Sequence, residues 1–160
     1  MTQTITVQGN KIAEINAITS GKAPDFTLSD LKGNQITLSN LTKPVLISIF
    51  PDINTSVCSL QTKHFNQEAA KHDEIEFLSL SNNTAEEQKN WCAAEGVEMT
   101  ILADDGQFGE KYGLVLNDGP LPGRLARAVY VVKNGEITYS EILAELTDEP
   151  NYEAALAACK

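Results

Sequence analysis

Several features that define other classes of protein are missing from this chain of 160 residues. No apolar run approaches the roughly 20 residues of a membrane-spanning helix, so we expect no membrane partner. The N-terminus lacks the basic and apolar regions of a secretory signal peptide, which predicts a cytoplasmic location. The chain has 12 basic and 22 acidic residues and a formal net charge of −10. Because such a chain repels phosphate backbones, we expect no nucleic-acid partner.

Cysteine is also scarce, with Cys58, Cys92 and Cys159 far apart along the chain. No CxxC motif is present, which argues against a thioredoxin-like disulfide oxidoreductase. The two histidines, His64 and His72, form no zinc-ligand spacing with the cysteines, so we expect no metal and no other cofactor. In a reducing compartment a cysteine is usually either a small buried apolar residue or a reactive group. Each of the three therefore needs a local interpretation.

Apolar patterns and turn signals predict one α/β domain over residues 1–160, with a hairpin extension at residues 1–17. Two nearly continuous apolar runs, 44–50 and 75–80, predict strands buried on both faces. A strand at 125–132 is followed by a tight Asn-Gly turn and a returning strand. Helices are predicted at 58–72, 84–95, 108–112 and 150–158. This mixture of a parallel crossover and an antiparallel edge is typical of the thioredoxin-like fold.

The segment between the first buried strand and the first helix places Cys58 in a distinctive position. The strand ends at Phe50, and either Thr55 or Ser56 is a good N-cap, so Cys58 falls in the first helical turn. Unpaired first-turn amides and the helix dipole both favour a thiolate, and helix N-termini can lower a cysteine pKa to roughly 3.5–7.5. The position also lies past the carboxyl end of a strand, where open α/β sheets bind ligands. The alternative is an inert core cysteine.

Arginine is rare, and one of the two arginines lies in an unexpected place. Arg127 interrupts the apolar run 126–132, where a guanidinium is costly unless an anion or several acceptors meet it. A thiolate with a bound peroxide would be such a partner, and an ordinary salt bridge is the alternative. Arg124, in a loop rich in glycine and proline, is expected to be exposed.

Four positions match the active-site pattern of one known family. Pro51, Thr55 and Cys58 reproduce PxxxTxxC, and with Arg127 they resemble the active site of the peroxiredoxins. Further stretches resemble the bacterial thiol peroxidase subfamily, at 91–96, 118–123, 126–129 and 147–156, and residues 23–28 resemble the family's N-terminal strand motif. The resemblance covers nearly the whole chain and implies a thioredoxin-like fold of peroxiredoxin type with an N-terminal β-hairpin.

The resemblance also implies roles for the site residues. The Cys58 thiolate would attack hydrogen peroxide or an organic hydroperoxide and become a sulfenic acid. Thr55 would hydrogen-bond the peroxide and the sulfur, Arg127 would stabilise negative charge, and Pro51 would shield the sulfur from water. Cys92 matches the resolving position and would close an intramolecular disulfide. Thioredoxin is the implied reductant, a homodimer is the implied assembly, and antioxidant defence is the implied role.

Three questions stay open at this point. Cys159 is expected to be a free surface thiol. The alternative is that it resolves the sulfenic acid of a partner subunit, as in peroxiredoxins with a C-terminal resolving arm, but the Val-Cys-Pro setting of those proteins is absent here. A redox sensor or holdase would share the first chemical step with a peroxidase. Because a disulfide needs Cα atoms about 4.4–6.8 Å apart, we expect the helix starts around Cys58 and Cys92 to loosen before the bond forms.

Overall fold

The computed structural model describes residues 2–53, 55–95, 100–116 and 123–160. In these ranges the strands are β1 (Gln3–Val7), β2 (Asn10–Ile15), β3 (Gly21–Lys22), β4 (Thr27–Ser29), β5 (Gln35–Thr37), β6 (Val45–Ile49), β7 (Glu76–Ser81), β8 (Ile101–Ala103), β9 (Ala128–Lys133) and β10 (Glu136–Ile142). The helices are α1 (Ser56–Ala69), α2 (Ala85–Glu95), α3 (Gln107–Tyr112) and α4 (Tyr152–Ala158).

The N-terminal hairpin is formed by β1 and β2, as the sequence predicts. Its turn residues Gln8 and Gly9 both have positive φ, 50° and 82°, as a two-residue hairpin turn requires. Ile5, Ala13 and Ile15 are buried and join the main hydrophobic core, so one face of the hairpin packs on the rest of the chain. That residues 1–160 form a single domain, with an extension at residues 1–17, stays a prediction.

A six-stranded mixed sheet in the order β3-β10-β9-β6-β7-β8 forms the centre of the molecule. The central strand β6 runs parallel to β7 and antiparallel to β9, and all five of its residues are buried. This confirms the two buried strands that the apolar runs predict. The β9–β10 turn at Asn134 and Gly135 also has positive φ at both residues, as its sequence predicts.

The sheet packs different clusters on its two faces. The larger core contacts the hairpin and α3, and a smaller one joins α1 and α4 through Leu46, Phe65 and Phe77. The predicted capping box at α2 is confirmed, because the Thr84 hydroxyl accepts the Glu87 amide at 3.2 Å and the Glu87 carboxylate accepts the Thr84 amide at 3.0 Å. The predicted stop of this helix at Gly96 lies outside the described residues.

One strand begins later than the sequence predicts. β9 starts at Ala128 rather than at 125, because the Ala126 amide donates to the Leu114 carbonyl and so does not pair with β6. On the other side of the strand, the Arg127 carbonyl accepts the Leu143 amide and continues the β9–β10 pairing. Arg127 therefore lies just before the strand and not within it. Within the described ranges, no helix is both long and apolar enough to cross a bilayer.

Candidate active site

The loop after β6 delivers Cys58 to the first turn of α1, as the sequence predicts. Thr55 is the N-cap residue, in extended backbone conformation, and Cys58 is the third residue of the helix that follows. The Thr55 side chain makes no capping hydrogen bond and instead donates its hydroxyl proton to the Asp52 carbonyl at 2.9 Å. The Thr55 side chain therefore does not occupy the first-turn amides, which can bind another acceptor. Its own oxygen keeps lone pairs that can accept a hydrogen bond.

Cys58 is completely buried in a small apolar cluster. Its neighbours in this cluster are Phe50, Ile53, Trp91 and Ile101. The sequence predicts an ionised sulfur at the N-terminus of a helix, and the structure adds that these side chains bury it. Pro51 is also buried, consistent with the shielding role that the resemblance implies. The sulfur therefore lies in a dry site, where the helix-terminal amides interact with charge more strongly than they would in water.

Cys92 packs against the same cluster from α2. It is half-buried, it is not in a disulfide, and burial raises the pKa of its thiol above the ordinary value. The structure thus brings the two predicted redox cysteines together in their reduced forms. In this arrangement Cys92 is a poor nucleophile at neutral pH, because the thiolate is the reactive form.

Arg127 is buried, and its described hydrogen-bond partners are neutral. Its Nε donates to the Leu146 carbonyl at 3.0 Å, and its Nη1 donates to the Gln61 Oε1 at 2.8 Å. Across the described ranges, no carboxylate lies within ion-pair distance of this guanidinium, so the salt-bridge alternative finds no support there. A buried cation with neutral partners is available to an anion.

Gln61 is a site residue that sequence reasoning missed. It lies one turn after Cys58 in α1, is fully buried, and donates its Nε2 to the Ser48 hydroxyl at 2.7 Å and to the Ile49 carbonyl at 3.2 Å. Its oxygen accepts from Arg127, so one amide joins the arginine to both α1 and β6. The available signal was a long polar side chain three residues after the cysteine, on the same helical face.

A second buried network joins the Cys58 loop to the start of α2. The Asn83 Oδ1 accepts the Ile53 amide at 2.8 Å and the Ser81 hydroxyl at 2.9 Å, while its Nδ2 donates to the Asp52 carboxylate at 3.0 Å. Gln88 of α2 donates to the same Ser81 hydroxyl at 3.0 Å. The loop before Cys58 and the helix that carries Cys92 are therefore held by one set of polar contacts.

Arg124 extends this network at the surface. It is only partly exposed, whereas the sequence predicts an exposed side chain. Its Nη1 donates to the Asn82 side-chain carbonyl at 3.3 Å, and its Nη2 lies 4.0 Å from an Asp52 carboxylate oxygen. The side chain is 29% exposed, so this pair is largely screened by water.

Cys159 lies away from this site, and the expectation that it is a surface thiol is wrong. It is only 4% exposed and packs in the cluster between α1, α4 and the sheet. Its sulfur donates to the Ala155 carbonyl at 3.4 Å, and burial raises its pKa to about 11. The sequence could not show this, because the burial depends on how the end of α4 docks on the sheet.

Comparison with known proteins identifies the family of this chain. The family model described as Redoxin matches residues 19–156. The chain belongs to the Redoxin family. Among curated relatives of this Redoxin chain, a thiol peroxidase of Listeria innocua is 44% identical over 144 residues, covering 87% of this chain and 86% of the relative. A thiol peroxidase of Staphylococcus aureus is 44% identical over 143 residues, covering 86% and 85%.

Solved structures confirm the predicted fold of this Redoxin-family chain. A peroxiredoxin-like protein from Aquifex aeolicus superposes with a TM-score of 0.88 at 26% identity, covering 98% of this chain and 95% of that one. A thiol peroxidase from Chromobacterium violaceum gives a TM-score of 0.82 at 16% identity, covering 97% and 94%, which supports the fold alone. The thioredoxin-like fold of peroxiredoxin type and the resemblance to thiol peroxidases are thus confirmed.

Proposed function

We propose that this Redoxin-family protein is a thiol-dependent peroxidase in which Cys58 reduces a hydroperoxide and Cys92 then closes an intramolecular disulfide. The observation that carries the proposal is the place of Cys58, in the first turn of α1 and inside a dry cluster that also holds Cys92. Thr55, Arg127 and Pro51 are the proposed supporting residues.

In the first step the Cys58 thiolate attacks the terminal oxygen of the hydroperoxide. The S–O bond forms as the O–O bond breaks, the sulfur becomes a sulfenic acid, and the departing alkoxide or hydroxide takes a proton to leave as alcohol or water. The first-turn amides and the Arg127 charge stabilise the negative charge that develops on the oxygens. Because its own proton goes to Asp52, the Thr55 hydroxyl accepts a hydrogen bond from the peroxide O–H.

In the second step the Cys92 sulfur attacks the sulfenic acid, a disulfide forms and water leaves. Cys92 is held as a thiol by burial, so it must become more exposed before it reacts well. We therefore retain the prediction that the helix segments around both cysteines loosen, although Cys92 lies in the second half of α2 rather than at its start. Thioredoxin, which contributes the two electrons that reduce the disulfide, is the proposed reductant, and antioxidant defence in the cytoplasm is the proposed role.

A homodimer is the proposed assembly. Leu60, two residues after Cys58 on α1, is 53% exposed and is a large apolar side chain that such an interface would cover.

Peroxide turnover with thioredoxin, thioredoxin reductase and NADPH tests the proposal. Wild type should consume peroxide over many cycles, Cys58→Ser should be inactive, and Cys92→Ser should react once and then stop. Oxidised wild type should run as a monomer on a non-reducing gel, because the disulfide lies within one chain. Cys159→Ser is the matched control and should turn over normally. Sustained cycling by Cys92→Ser would refute the resolving role, and single-cycle behaviour of wild type would favour a redox sensor.

A further inference from the structure

Arg127 is held on one side by a short segment of backbone, residues 143–146. The Arg127 Nε donates to the Leu146 carbonyl at 3.0 Å, and the Arg127 carbonyl accepts the Leu143 amide at 2.9 Å. Only Gln61, on the other side, supplies a further described hydrogen bond to the guanidinium. The direction of the Leu146 carbonyl therefore helps to set the direction of the Arg127 charge.

The same segment is paired with the N-terminal hairpin. Thr6 of β1 donates its amide to the Ala144 carbonyl at 2.6 Å, and its carbonyl accepts the Leu146 amide at 2.9 Å. Leu146 thus has its N–H bonded to the hairpin and its C=O bonded to Arg127. The hairpin lies before residue 19, where the match to the Redoxin family model begins, yet it reaches the active-site arginine through a single residue.

The Glu145 carboxylate fastens this contact. Its Oε1 accepts the Thr6 hydroxyl at 2.8 Å and the Gly9 amide at 2.9 Å, and its Oε2 accepts the Thr147 amide at 3.0 Å and the Thr147 hydroxyl. The hydrogen bonds from Thr147 and Gly9 hold the pKa of this carboxyl well below its usual range, so it is ionised at neutral pH. One side chain therefore connects the hairpin and its turn to the segment that orients Arg127.

We propose that Glu145 is a positioning residue for the peroxide-reducing step: it locks the N-terminal hairpin onto residues 144–146 and so fixes the carbonyl that orients Arg127. The proposal rests on the proposed function, since Arg127 is taken to stabilise the charge that forms on the peroxide oxygens. Misplacing such a charge by about 1 Å can slow a reaction by up to about 100-fold. A hairpin that merely covers the core would affect folding but not this step.

The test compares Glu145→Ala with Glu14→Ala, which breaks the exposed Lys11–Glu14 ion pair of the same hairpin but does not touch residues 144–146. The rate of the peroxide step is measured by competition with a haem peroxidase for hydrogen peroxide, at temperatures where circular dichroism shows every variant folded. Glu145→Ala should lower the rate about tenfold and move its pH profile to higher pH, because the thiolate loses charge stabilisation. Glu14→Ala should change neither.

A double-mutant cycle with Arg127→Ala identifies the route of the effect. If Glu145 acts through Arg127, Glu145→Ala should slow the peroxide step in the wild-type background and cause little further loss in the Arg127→Ala background. Equal slowing in both backgrounds would overturn the proposal, and so would an unchanged rate. Should Glu145→Ala fail to fold, Thr6→Val removes one hydroxyl donor to Glu145 and should slow the step about threefold, again only when Arg127 is present. Failure of the proposed function would appear differently, as wild type that does not react.

Discussion

Two buried cysteines lie at opposite ends of helices in this protein. Cys58 is the third residue of α1, whereas Cys159 is the residue that ends α4. Both side chains are nearly or completely inaccessible, so burial does not distinguish them. The Cys159 sulfur donates to the Ala155 carbonyl, which favours the thiol, whereas Cys58 lies in the first turn of α1, where backbone amides lack partners within the helix. The comparison indicates that position along the helix, rather than burial, is the difference on which the proposed reactivity of Cys58 depends.

The largest expected effect is selective oxidation of the two thiols in Cys92→Ser. With a pKa of about 11, Cys159 is a thiolate in only about one molecule in 10,000 at pH 7. One equivalent of hydrogen peroxide followed by dimedone should therefore label Cys58 at least about 1,000-fold faster than Cys159, as peptide mass spectrometry can measure. Comparable labelling of the two would show that the helix position does not decide reactivity.

The next largest effect concerns Gln61, the buried amide of α1 that accepts a hydrogen bond from Arg127. Gln61→Leu should slow the peroxide step by about 10- to 100-fold, because the guanidinium loses an acceptor and is free to shift. Competition kinetics provide the measurement. Gln67→Leu, an exposed glutamine of the same helix, is the matched control and should keep the wild-type rate. A normal rate in Gln61→Leu would mean that Arg127 needs no support from α1.

Asn83 sharpens the comparison in another way, because the proposed mechanism requires Cys58 to become accessible to Cys92 and requires nothing of Cys159. Asn83→Ala should lower the free energy of unfolding by about 1–3 kcal/mol, since it removes a buried amide that satisfies Ile53, Ser81 and Asp52. It should also raise the rate of disulfide formation after oxidation severalfold, as quenched-flow experiments can measure. Hydrogen exchange of the Cys58 loop should become faster as well. Asn90→Ala, at an exposed asparagine of α2, is the control and should change neither quantity; faster exchange only near Cys159 would contradict the prediction.

The smallest expected effect is the pH dependence of stability that Cys159 contributes. Its pKa is raised from 9.0 to about 11, so the folded state holds this proton more tightly than the unfolded state. The contribution is complete below pH 9 and is lost as the pH rises through 11. The free energy of unfolding of wild type, measured in urea, should therefore fall relative to that of Cys159→Ala between pH 9 and pH 11. Parallel pH curves for the two proteins would contradict the raised pKa.

Local signals in the sequence predicted the fold well. The β9–β10 turn, the apolar run of β6 and the capping box of α2 depend on residues within a few positions of one another, and each is found where its pattern indicates. The N-terminal hairpin is also found, with its turn at Gln8 and Gly9. The position of Cys58 in the first turn of α1 follows from the same kind of local information, because a strand end and an N-cap fix it.

Contacts between distant segments could not be predicted in this way. Arg127 lies just before β9 because the Ala126 amide bonds to the Leu114 carbonyl. Its hydrogen-bond partner Gln61 is 66 residues away in the sequence. The burial of Cys159 depends on the docking of α4, and the closed cluster over Cys58 depends on Trp91 of another helix. In each case a residue far away in the sequence, and not the local pattern, determines the surroundings of the side chain.

The position of Trp91 has a practical consequence. It is the single tryptophan of the chain, it directly precedes Cys92, and its indole packs in the cluster around Cys58. Because Trp91 directly precedes Cys92, the movement of Cys92 that the proposed disulfide requires would change the contacts of this ring. The emission of Trp91 would then serve as an intrinsic optical reporter that changes as the proposed disulfide forms and returns as the dithiol is restored.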